Sequence, residues 1–382
     1  MTRKLFIGLM SGTSLDGVDV ALVAFIEQQP QLLHTHFLAY PATLRADILA
    51  LQHPTDNELE QTALISNALA KLYALAIQQL LAKAQLKPSD ITAIGCHGQT
   101  IRHRPGFKDG IGFTLQIVNA ALLTELCQIT VVSDFRSRDL AAGGQGAPLV
   151  PAFHQAVFAH PQLNRAIINI GGIANITYLG RNVDTSDRSQ NSVHGFDSGP
   201  GNMLLDAWIK QHLDQDFDAN GAWASTGETL PALLDQLMAE PFFALTPPKS
   251  TGRDLFNLAW LEKNIAAIAS SNPSLRPQDV AHTLVDLTAQ TLYLALKAHC
   301  GPVDEVYLCG GGAHNALLNK KLQTLLGKVP CGRTDGLGIG LDWVEAVAFA
   351  WLAKQCLAKE TANLAAVTGA TGARILGAIY QH

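Results

Sequence analysis

Two glycine-rich hairpins constrain the fold of this chain more than any other feature of its sequence. The first spans residues 5–23 (LFIGLMSGTSLDGVDVALV) and the second spans residues 166–179 (AIINIGGIANITYL). Each consists of an apolar segment, a turn of small residues and a second apolar segment, which predicts two strands joined by a tight turn. Glycine lets the backbone approach an anion closely, and successive N–H groups in such turns form anion-binding nests. Two turns of one design therefore predict two related lobes that share one anion, such as the phosphate chain of a nucleotide.

The remaining segments predict an α/β protein with two lobes. Short apolar strands such as residues 305–309 alternate with segments of helical period such as residues 277–299. Residues 182–194 are polar and rich in turn formers, which predicts an exposed loop. A length of 382 residues favours two domains. We expect an N-terminal lobe over residues 1–148, completed by part of the C-terminal helix, and a C-terminal lobe over residues 149–382.

The composition argues against several classes of protein. Apolar residues make up 48% of the chain and charged residues 15%, which is typical of large cores rather than of disorder. The net charge is −5, from 27 basic and 32 acidic residues, and no basic tract occurs, which argues against a nucleic-acid partner. The six scattered cysteines form no CxxC pair, so they indicate neither a zinc site nor a disulfide framework. A reduced, cytoplasmic setting fits this pattern.

The apolar segments predict neither export nor membrane insertion. The first residues run directly into a short strand, without the apolar segment and cleavage site of a signal peptide. Residues 140–164 contain no Asp, Glu, Lys or Arg, but Pro148, Pro151 and Pro161 within them disfavour a membrane helix. We expect this segment to line a cleft or a domain joint.

Polar side chains accompany the glycines of the first turn. Ser11, Thr13 and Ser14 would add hydroxyl donors. Asp16 and Asp19 could hold a magnesium ion directly or through water. The alternative is an ordinary hairpin turn. No GxxxxGK[ST] sequence occurs, so the chain is not a P-loop enzyme.

A third glycine loop, Gly310-Gly311-Gly312, follows a predicted strand and precedes a predicted helix. A purine and its ribose could lie against the bare backbone of this loop. The alternative interpretation is a simple turn between a strand and a helix.

Asp197, in the sequence FDSGPGN of residues 196–202, is the sharpest single candidate for catalysis. It is predicted to lie at the C-terminal end of a strand, before a tight turn into a helix, where α/β proteins place reactive groups. A carboxylate there can take a proton from a hydroxyl or from water as a general base. The alternative is an aspartate that only caps the helix.

Three further segments carry polar candidates. Arg136 and Arg138 lie in a glycine-rich segment and could grip a substrate carboxylate; the alternative is a surface loop with internal ion pairs. His97 and Gln99 follow a strand and could face the same cleft, although a lone histidine there is more often structural. Glu345 lies one turn into an apolar helix, where the helix dipole alone favours a carboxylate.

These motifs, in this order, resemble those of the anhydro-N-acetylmuramic acid kinases over nearly the whole chain. The matching segments are GLMSGTSLDGVD (8–19), CHGQT (96–100), SDFR (133–136), NIGGIANIT (169–177), FDSGPGN (196–202) and EAVAFA (345–350). The resemblance implies two related lobes of the actin-like ATPase (ribonuclease-H-like) fold with ATP between them. The wider superfamily that the chain resembles contains actin, the Hsp70 ATPase domain and hexokinase.

The resemblance also implies roles for individual residues. Asp197 would be the catalytic base, and Glu345 would be a second active-site carboxylate. We expect substrate contacts from His97, Gln99 and Arg136, and we infer that Arg136 binds the lactyl carboxylate of a muramyl sugar. The expected nucleotide-binding residues are Gly12, Thr13, Ser14, Leu15, Asp16, Gly17, Val18, Asp19, Gly171, Gly172, Asn175, Gly310, Gly311 and Gly312.

One departure from the superfamily concerns the expected magnesium ion. Actin-like proteins usually carry an aspartate inside the first strand, where Met10 stands in this chain. Magnesium binding would then fall to Asp16, Asp19 or Asp197, and the sequence does not decide among them.

The resemblance implies an unusual kinase reaction in peptidoglycan recycling. Water opens the 1,6-anhydro bridge of the muramyl sugar while O6 is phosphorylated from ATP. Asp197 would deprotonate the water that attacks C1, and the released O6 would attack the γ-phosphate. The alternatives are an ordinary sugar kinase, in which Asp197 activates a hydroxyl, and a non-catalytic assembly protein of actin type. The resemblance further suggests a homodimer.

Overall fold

The chain forms two compact units, which the structure, a computed structural model, describes over residues 4–12, 14–54, 56–106, 110–181, 193–268 and 275–382. The first unit comprises residues 1–157 and 343–382, and the second comprises residues 158–342. The sequence predicts a boundary between the two lobes after residue 148, whereas these units divide after residues 157 and 342. Most of the predicted loop at residues 182–194 lies outside the described residues, and its last two residues begin a strand.

The secondary structure alternates between strands and helices, as predicted. The strands are β1 (Lys4–Met10), β2 (Gly17–Ile26), β3 (Gln29–Ala39), β4 (Ile91–Cys96), β5 (Gln99–Arg104), β6 (Phe113–Ile117), β7 (Val131–Ser133), β8 (Arg165–Ile170), β9 (Ile173–Leu179), β10 (Val193–Pro200), β11 (Glu305–Cys309), β12 (Cys331–Arg333) and β13 (Ala378–Tyr380). The helices are α1 (Ala42–Ala50), α2 (Glu58–Ala84), α3 (Ala120–Cys127), α4 (Ser137–Ala141), α5 (Val150–Phe158), α6 (Met203–Leu213), α7 (Pro231–Met238), α8 (Pro241–Ala244), α9 (Leu258–Ile268), α10 (Pro277–His299), α11 (Ala316–Leu326), α12 (Val344–Leu357) and α13 (Ala365–Thr368).

Each unit is built on a sheet of the same topology. In the first unit, β3, β2 and β1 form an antiparallel meander, β4 and β7 continue the sheet parallel to β1, and β13 pairs with the β7 edge. In the second unit, β10, β9 and β8 form the same meander, and β11 and β12 continue it parallel to β8. Each glycine hairpin is the first turn of its sheet. The repeated topology confirms the predicted α/β fold of two related, actin-like lobes.

The C-terminal helix α12 packs directly on the sheet of the first unit. Gly8 of β1 and Gly95 of β4 lie side by side in register beneath this helix. A Cβ atom on Gly8 would lie 1.7 Å from the carbonyl oxygen of Ala346, and one on Gly95 would lie 2.0 Å from that of Phe349. Only glycine permits this close approach of two backbones. The contact explains why the segment from Trp343 belongs to the first unit.

Helix α2 supplies the core on the other side of β1 and β2. Its residues Leu69, Tyr73 and Ile77 are buried in one cluster with Ile7 and Leu9 of β1. Burial of such apolar side chains contributes about 1.5–3 kcal/mol each. In the part of the chain that the structure describes, α2 is the one helix long and apolar enough to span a membrane. Half of its apolar window is buried inside the unit, as is usual for the core helix of a globular protein.

Candidate active site

The turn of the first glycine hairpin exposes two of the predicted phosphate-binding side chains. Thr13 lies outside the described residues, but Ser14 and Asp16 are exposed. The Ser14 hydroxyl donates a hydrogen bond to Asp16 Oδ1 at 2.8 Å. Leu15 between them is buried and has a φ of 59°, in the left-handed region. Burial of the leucine thus anchors the turn while its polar neighbours face outwards.

Strand β2 carries the rest of the predicted first nucleotide-binding segment. A Cβ atom on Gly17 would lie 2.4 Å from the carbonyl oxygen of Leu38, so the packing of β3 alone requires this glycine. Val18 is fully buried in the core. Asp19 is paired directly with Met10 across the antiparallel strands. Paired residues place their side chains on the same face, so the Asp19 carboxylate lies beside the Met10 side chain.

A chain of hydrogen bonds between buried side chains fixes the turn of the first glycine hairpin. The Ser11 hydroxyl lies 2.8 Å from the Tyr73 hydroxyl, which lies 2.9 Å from that of Tyr40. Tyr40 donates to Gln99 Oε1 at 3.1 Å, and Gln99 Nε2 donates to the carbonyl oxygen of Gly12 at 3.1 Å. The amide of Gln99 therefore positions the turn through its main chain.

Sequence reasoning missed the two tyrosines of this chain of hydrogen bonds. Burial raises the pKa of Tyr40 to about 12 and raises that of Tyr73 as well, so both hydroxyls stay protonated and can donate. Gln99, predicted as a substrate ligand, is fully buried. Nothing in the spacing of these residues indicates the pairing, since Tyr40 and Gln99 are 59 positions apart. A direct contact of Gln99 with substrate stays a prediction.

Arg136, His97 and Glu345 lie together in the first unit. Arg136 donates from Nε and Nη2 to Nε2 of His97, at 3.2 and 3.0 Å, and from Nη1 to the carbonyl oxygen of Gly146 at 2.8 Å. Burial and the Arg136 charge hold the pKa of His97 well below its usual range, so the imidazole is neutral and accepts at Nε2. Burial raises the pKa of Glu345, and the nearby Arg136 charge opposes that rise.

Two N–H donors of Arg136 have no hydrogen-bond partner among the residues that the structure describes. A guanidinium group has five N–H bonds, and three of them serve the contacts to His97 and Gly146. Within the described part of the chain one N–H on each of Nη1 and Nη2 remains, and a carboxylate could accept these two in a bidentate manner. Arg138, the other predicted arginine, is exposed on α4.

Asp139 fixes the position of Gly146, whose carbonyl oxygen accepts a hydrogen bond from Arg136. Its fully buried carboxylate accepts hydrogen bonds from Gly146 N–H at 2.8 Å, from the Thr368 hydroxyl at 2.8 Å and from Asn363 Nδ2 at 2.6 Å. The position of Gly146, and hence of its carbonyl oxygen, is thereby fixed. Sequence reasoning did not single out Asp139, because its side-chain partners Asn363 and Thr368 lie more than 220 positions away.

Asp197 lies inside β10 of the second unit, where the pairing with β9 shifts register between Asp197 and Gly199. The sequence predicts Asp197 at the end of the strand, but β10 continues past this irregularity to Pro200. Its Oδ2 accepts a hydrogen bond from Thr251 N–H at 3.0 Å, and its own N–H donates to the carbonyl oxygen of Lys249 at 3.1 Å. The residue at the start of α6 is Asn202 instead. The interpretation of Asp197 as a helix cap is therefore wrong.

The protonation of Asp197 is set by its surroundings. Burial raises the pKa of its carboxyl to about 7, and the Thr251 N–H and the Lys249 charge oppose that rise. The carboxyl can therefore both accept and release a proton near neutral pH, as a general base must. Asn175, a predicted nucleotide ligand on β9, is paired directly with Asp197.

The second glycine turn is hydrogen-bonded to the segment that follows Asp197 in the same unit. The carbonyl oxygens of Gly171 and Gly172 accept hydrogen bonds from the turn after Asp197, at 2.8–2.9 Å for Asn202 and Gly201 N–H. These bonds tie the second glycine turn to the segment that carries the candidate base.

The glycine triplet packs on the end of β8. A Cβ atom on Gly310, which has a φ of 79°, would lie 2.3 Å from Asn169 Oδ1, and one on Gly312 would lie 2.2 Å from Ile170 Cγ2. Gly311 lies between them at the start of a short 3-10 turn. The structure thus brings the second hairpin, Asp197 and the triplet together within one unit.

Comparison with known proteins gives a consistent result. The family model described as "Anhydro-N-acetylmuramic acid kinase" matches residues 4–382. The chain is similar to the anhydro-N-acetylmuramic acid kinase of Nitrosomonas europaea, with 50% identity over 98% of this chain and 99% of that protein. It is similar to that of Bordetella pertussis, with 52% identity over 99% of this chain and 96% of that protein.

Solved structures with similarity to the chain are more distant. A ROK family glucokinase from Streptomyces griseus, in complex with glucose and AMPPNP, has a TM-score of 0.42 at 13% identity and covers 92% of this chain and 99% of that one. The activator of the 2-hydroxyisocaproyl-CoA dehydratase from Clostridium difficile, with bound ADPNP, has a TM-score of 0.46 at 13% identity and covers 93% and 97%.

Proposed function

Because the chain belongs to the anhydro-N-acetylmuramic acid kinase family, we propose that it opens the 1,6-anhydro ring of anhydro-N-acetylmuramic acid with water and phosphorylates O6 from ATP. The product is N-acetylmuramic acid 6-phosphate, and the reaction belongs to peptidoglycan recycling. The observation that carries the proposal is the buried Asp197 carboxyl, whose pKa is raised to about 7. A hydrolytic ring opening at neutral pH needs such a base.

Asp197 takes the proton from the attacking water in this proposal. The Thr251 N–H fixes Oδ2 of the carboxylate, so Oδ1 is the oxygen that receives the proton. The water oxygen bonds to C1 as the bond from C1 to O6 breaks. The released O6 then attacks the γ-phosphorus of ATP, and ADP leaves with the bridging oxygen. One carboxylate thereby serves a reaction in which a bond is hydrolysed and a phosphoryl group is transferred.

Nucleotide recognition is assigned to the glycine turns of both units. In the first unit, the exposed Ser14 and Asp16 mark the turn that receives phosphate. In the second unit, the turn of Gly171 and Gly172 receives phosphate, and the triplet beginning at Gly310 receives the adenosine. Gly311 of this triplet is exposed, and a Cβ atom on it would meet no described atom closer than 3.9 Å, so a flat ring system can approach its bare backbone closely.

The first hairpin also offers oxygen donors that suit the magnesium ion of an ATP complex. Asp19 lies opposite Met10, and Asp16 is exposed at the turn. Among the residues that the structure describes, no group of three or more His, Cys, Asp or Glu is arranged as a metal site. Magnesium held by one or two carboxylates, water and substrate phosphates fits this pattern. When bound, it offsets the charge of the transferring phosphoryl group.

The proposal extends to the cellular compartment and the oligomeric state of the enzyme. We place the enzyme in the cytoplasm, where all six cysteines would remain the free thiols seen in the structure. We also propose that it acts as a homodimer.

Arg136 is expected to recognise the lactyl carboxylate of the sugar. Replacing it by alanine removes the two remaining N–H donors, so KM should rise about tenfold or more for the muramyl sugar. The KM for a 1,6-anhydro sugar that lacks the lactyl group should change far less. Steady-state kinetics with both sugars measures the difference, and an equal rise for both would exclude this role of Arg136.

The expected pH dependence of kcat/KM follows from the pKa of Asp197, which burial raises to about 7. Only the ionised carboxylate accepts a proton, so kcat/KM should fall about tenfold per pH unit below pH 7. Release of ADP measured from pH 5 to pH 9 gives the profile. A kcat/KM that stays constant down to pH 5 would show that the activity does not depend on a base with this pKa.

An assay of ATP consumption tests the proposed function itself. We expect ADP release with 1,6-anhydro-N-acetylmuramic acid and none with N-acetylmuramic acid, whose ring bridge is already open. An ordinary sugar kinase would phosphorylate the open sugar, which has a free O6 hydroxyl. Turnover of the open sugar alone would therefore favour that alternative.

A further inference from the structure

Lys249 is a buried cation of the second unit whose ammonium group is fixed by main-chain contacts. The residue is 7% exposed. Its Nζ donates to the carbonyl oxygens of Phe242 and Phe243 in α8, at 3.3 and 3.2 Å. The same atom lies 4.8 Å from the centre of the Phe242 ring. A buried ammonium group needs such partners, and these hold the side chain in one place.

The main chain around Lys249 contacts Asp197 at two points. The Lys249 carbonyl oxygen accepts from Asp197 N–H at 3.1 Å, and Thr251 N–H donates to Asp197 Oδ2 at 3.0 Å. Residues 249–251 therefore fix both the backbone and the carboxylate of Asp197. Whatever holds this segment also sets the direction in which the carboxylate points.

Helix α8, to which the Lys249 ammonium is tied, packs on the irregular part of β10. A Cβ atom on Gly199, two residues after Asp197, would lie 2.7 Å from Cε1 of Phe243. The side chain of Lys249 thus links α8 to the segment that holds the carboxylate. Asp197 is therefore connected to α8 in two ways, through residues 249–251 and through Gly199 of its own strand.

Two other ionisable groups of this region lie on α10, and Glu240 precedes α8, where its carboxylate accepts from Phe242 N–H and Trp260 Nε1–H. The His299 ring lies 5.5 Å from that of Phe196, and burial followed by the Lys249 charge lowers its pKa. Lys297 is exposed and lines a cavity of about 350 Å³ together with Lys249 and His299. Lys249 combines burial with main-chain contact to the Asp197 segment, whereas Lys297 is a solvated cation of the same cavity.

We propose that Lys249 is a positioning residue for the base: it anchors residues 249–251 to α8 so that Thr251 N–H meets Asp197 Oδ2, and its charge favours the ionised carboxylate. This inference rests on the proposed role of Asp197 in catalysis. Lys249 contacts neither sugar nor nucleotide in this account, and it acts through the group that it holds.

The pH profile of Lys249→Met tests the proposal. Loss of the positive charge disfavours the ionised carboxylate, so the acidic limb of kcat/KM should move up by about one pH unit. The KM for ATP should stay within about twofold of the wild type. Lys249→Arg keeps the charge and should return the limb towards its original position, and the control Lys297→Met should leave it unmoved. A Lys249→Met limb that coincides with that of the wild type would overturn the proposal.

A reciprocal measurement keeps the test independent of turnover and of the folding of Lys249→Met. Coupling between two sites is mutual, so in Asp197→Asn the Lys249 ammonium should lose its proton at lower pH, as followed by ¹⁵N NMR without sugar or ATP. An unchanged Lys249 titration would overturn the proposal. Failure of the proposed function would be seen separately, as absence of ADP release from wild-type enzyme with the anhydro sugar.

Discussion

Asp197→Asn is expected to lower kcat by roughly 10²–10⁴, the usual contribution of a general base. Asparagine has the same size and can still accept the Thr251 N–H that meets Oδ2 in the wild type. It cannot take a proton from water, so only the chemical step suffers. Fold and ATP affinity should stay close to those of the wild type. ADP release with 1,6-anhydro-N-acetylmuramic acid and calorimetric titration with ATP measure the two quantities.

Asp206→Asn is the matched control for this prediction. Asp206 lies on α6 of the same unit, and burial raises its pKa to about 7 as well. It has no place in the proposed mechanism, so its kcat should change far less than that of Asp197→Asn. A kcat for Asp197→Asn within a few-fold of the wild type would mean that the base lies elsewhere. Equal losses in both variants would point to a general effect of buried carboxyls.

The largest expected loss of stability follows from replacing Gly8 by alanine. The new Cβ atom would lie 1.7 Å from the carbonyl oxygen of Ala346, and neither β1 nor α12 can move without disturbing the sheet core. We expect the free energy of unfolding to fall by about 3 kcal/mol, at the upper end of the usual cost of overpacking. Urea unfolding followed by circular dichroism measures the change.

Gly106→Ala provides the control in the same unit. A Cβ atom on Gly106 would meet no described atom within 4 Å, so its unfolding midpoint should stay near that of the wild type. If Gly8→Ala unfolded at the same urea concentration as Gly106→Ala, the close packing of α12 on β1 would be contradicted.

The elements of strong local pattern were predictable from the sequence. Pro277–His299 and Glu305–Cys309 have the predicted bounds, since apolar period and flanking proline or glycine define them locally. The two glycine hairpins predicted two related lobes, and the matching sheets confirm that prediction. A hairpin is a local structure, so its sequence carries most of the information that it needs.

The parts of the site that depend on distant partners were not predictable. Thr251 lies 54 positions from Asp197, and no spacing rule connects them. The sequence predicts that part of the C-terminal helix completes the first lobe, but the need for bare backbone at Gly8 and Gly95 becomes visible only when Ala346 and Phe349 of α12 are placed over them. Pairings between such distant segments follow from the packing of the whole unit.

Reaction in ¹⁸O-labelled water tests whether hydrolytic ring opening accompanies phosphorylation. The product is analysed promptly by mass spectrometry, with N-acetylmuramic acid 6-phosphate incubated for the same time to measure exchange of the anomeric hydroxyl. We expect one ¹⁸O atom at the C1 hydroxyl, in excess of that exchange, and none in the phosphoryl group. Product without excess label at C1 would contradict it.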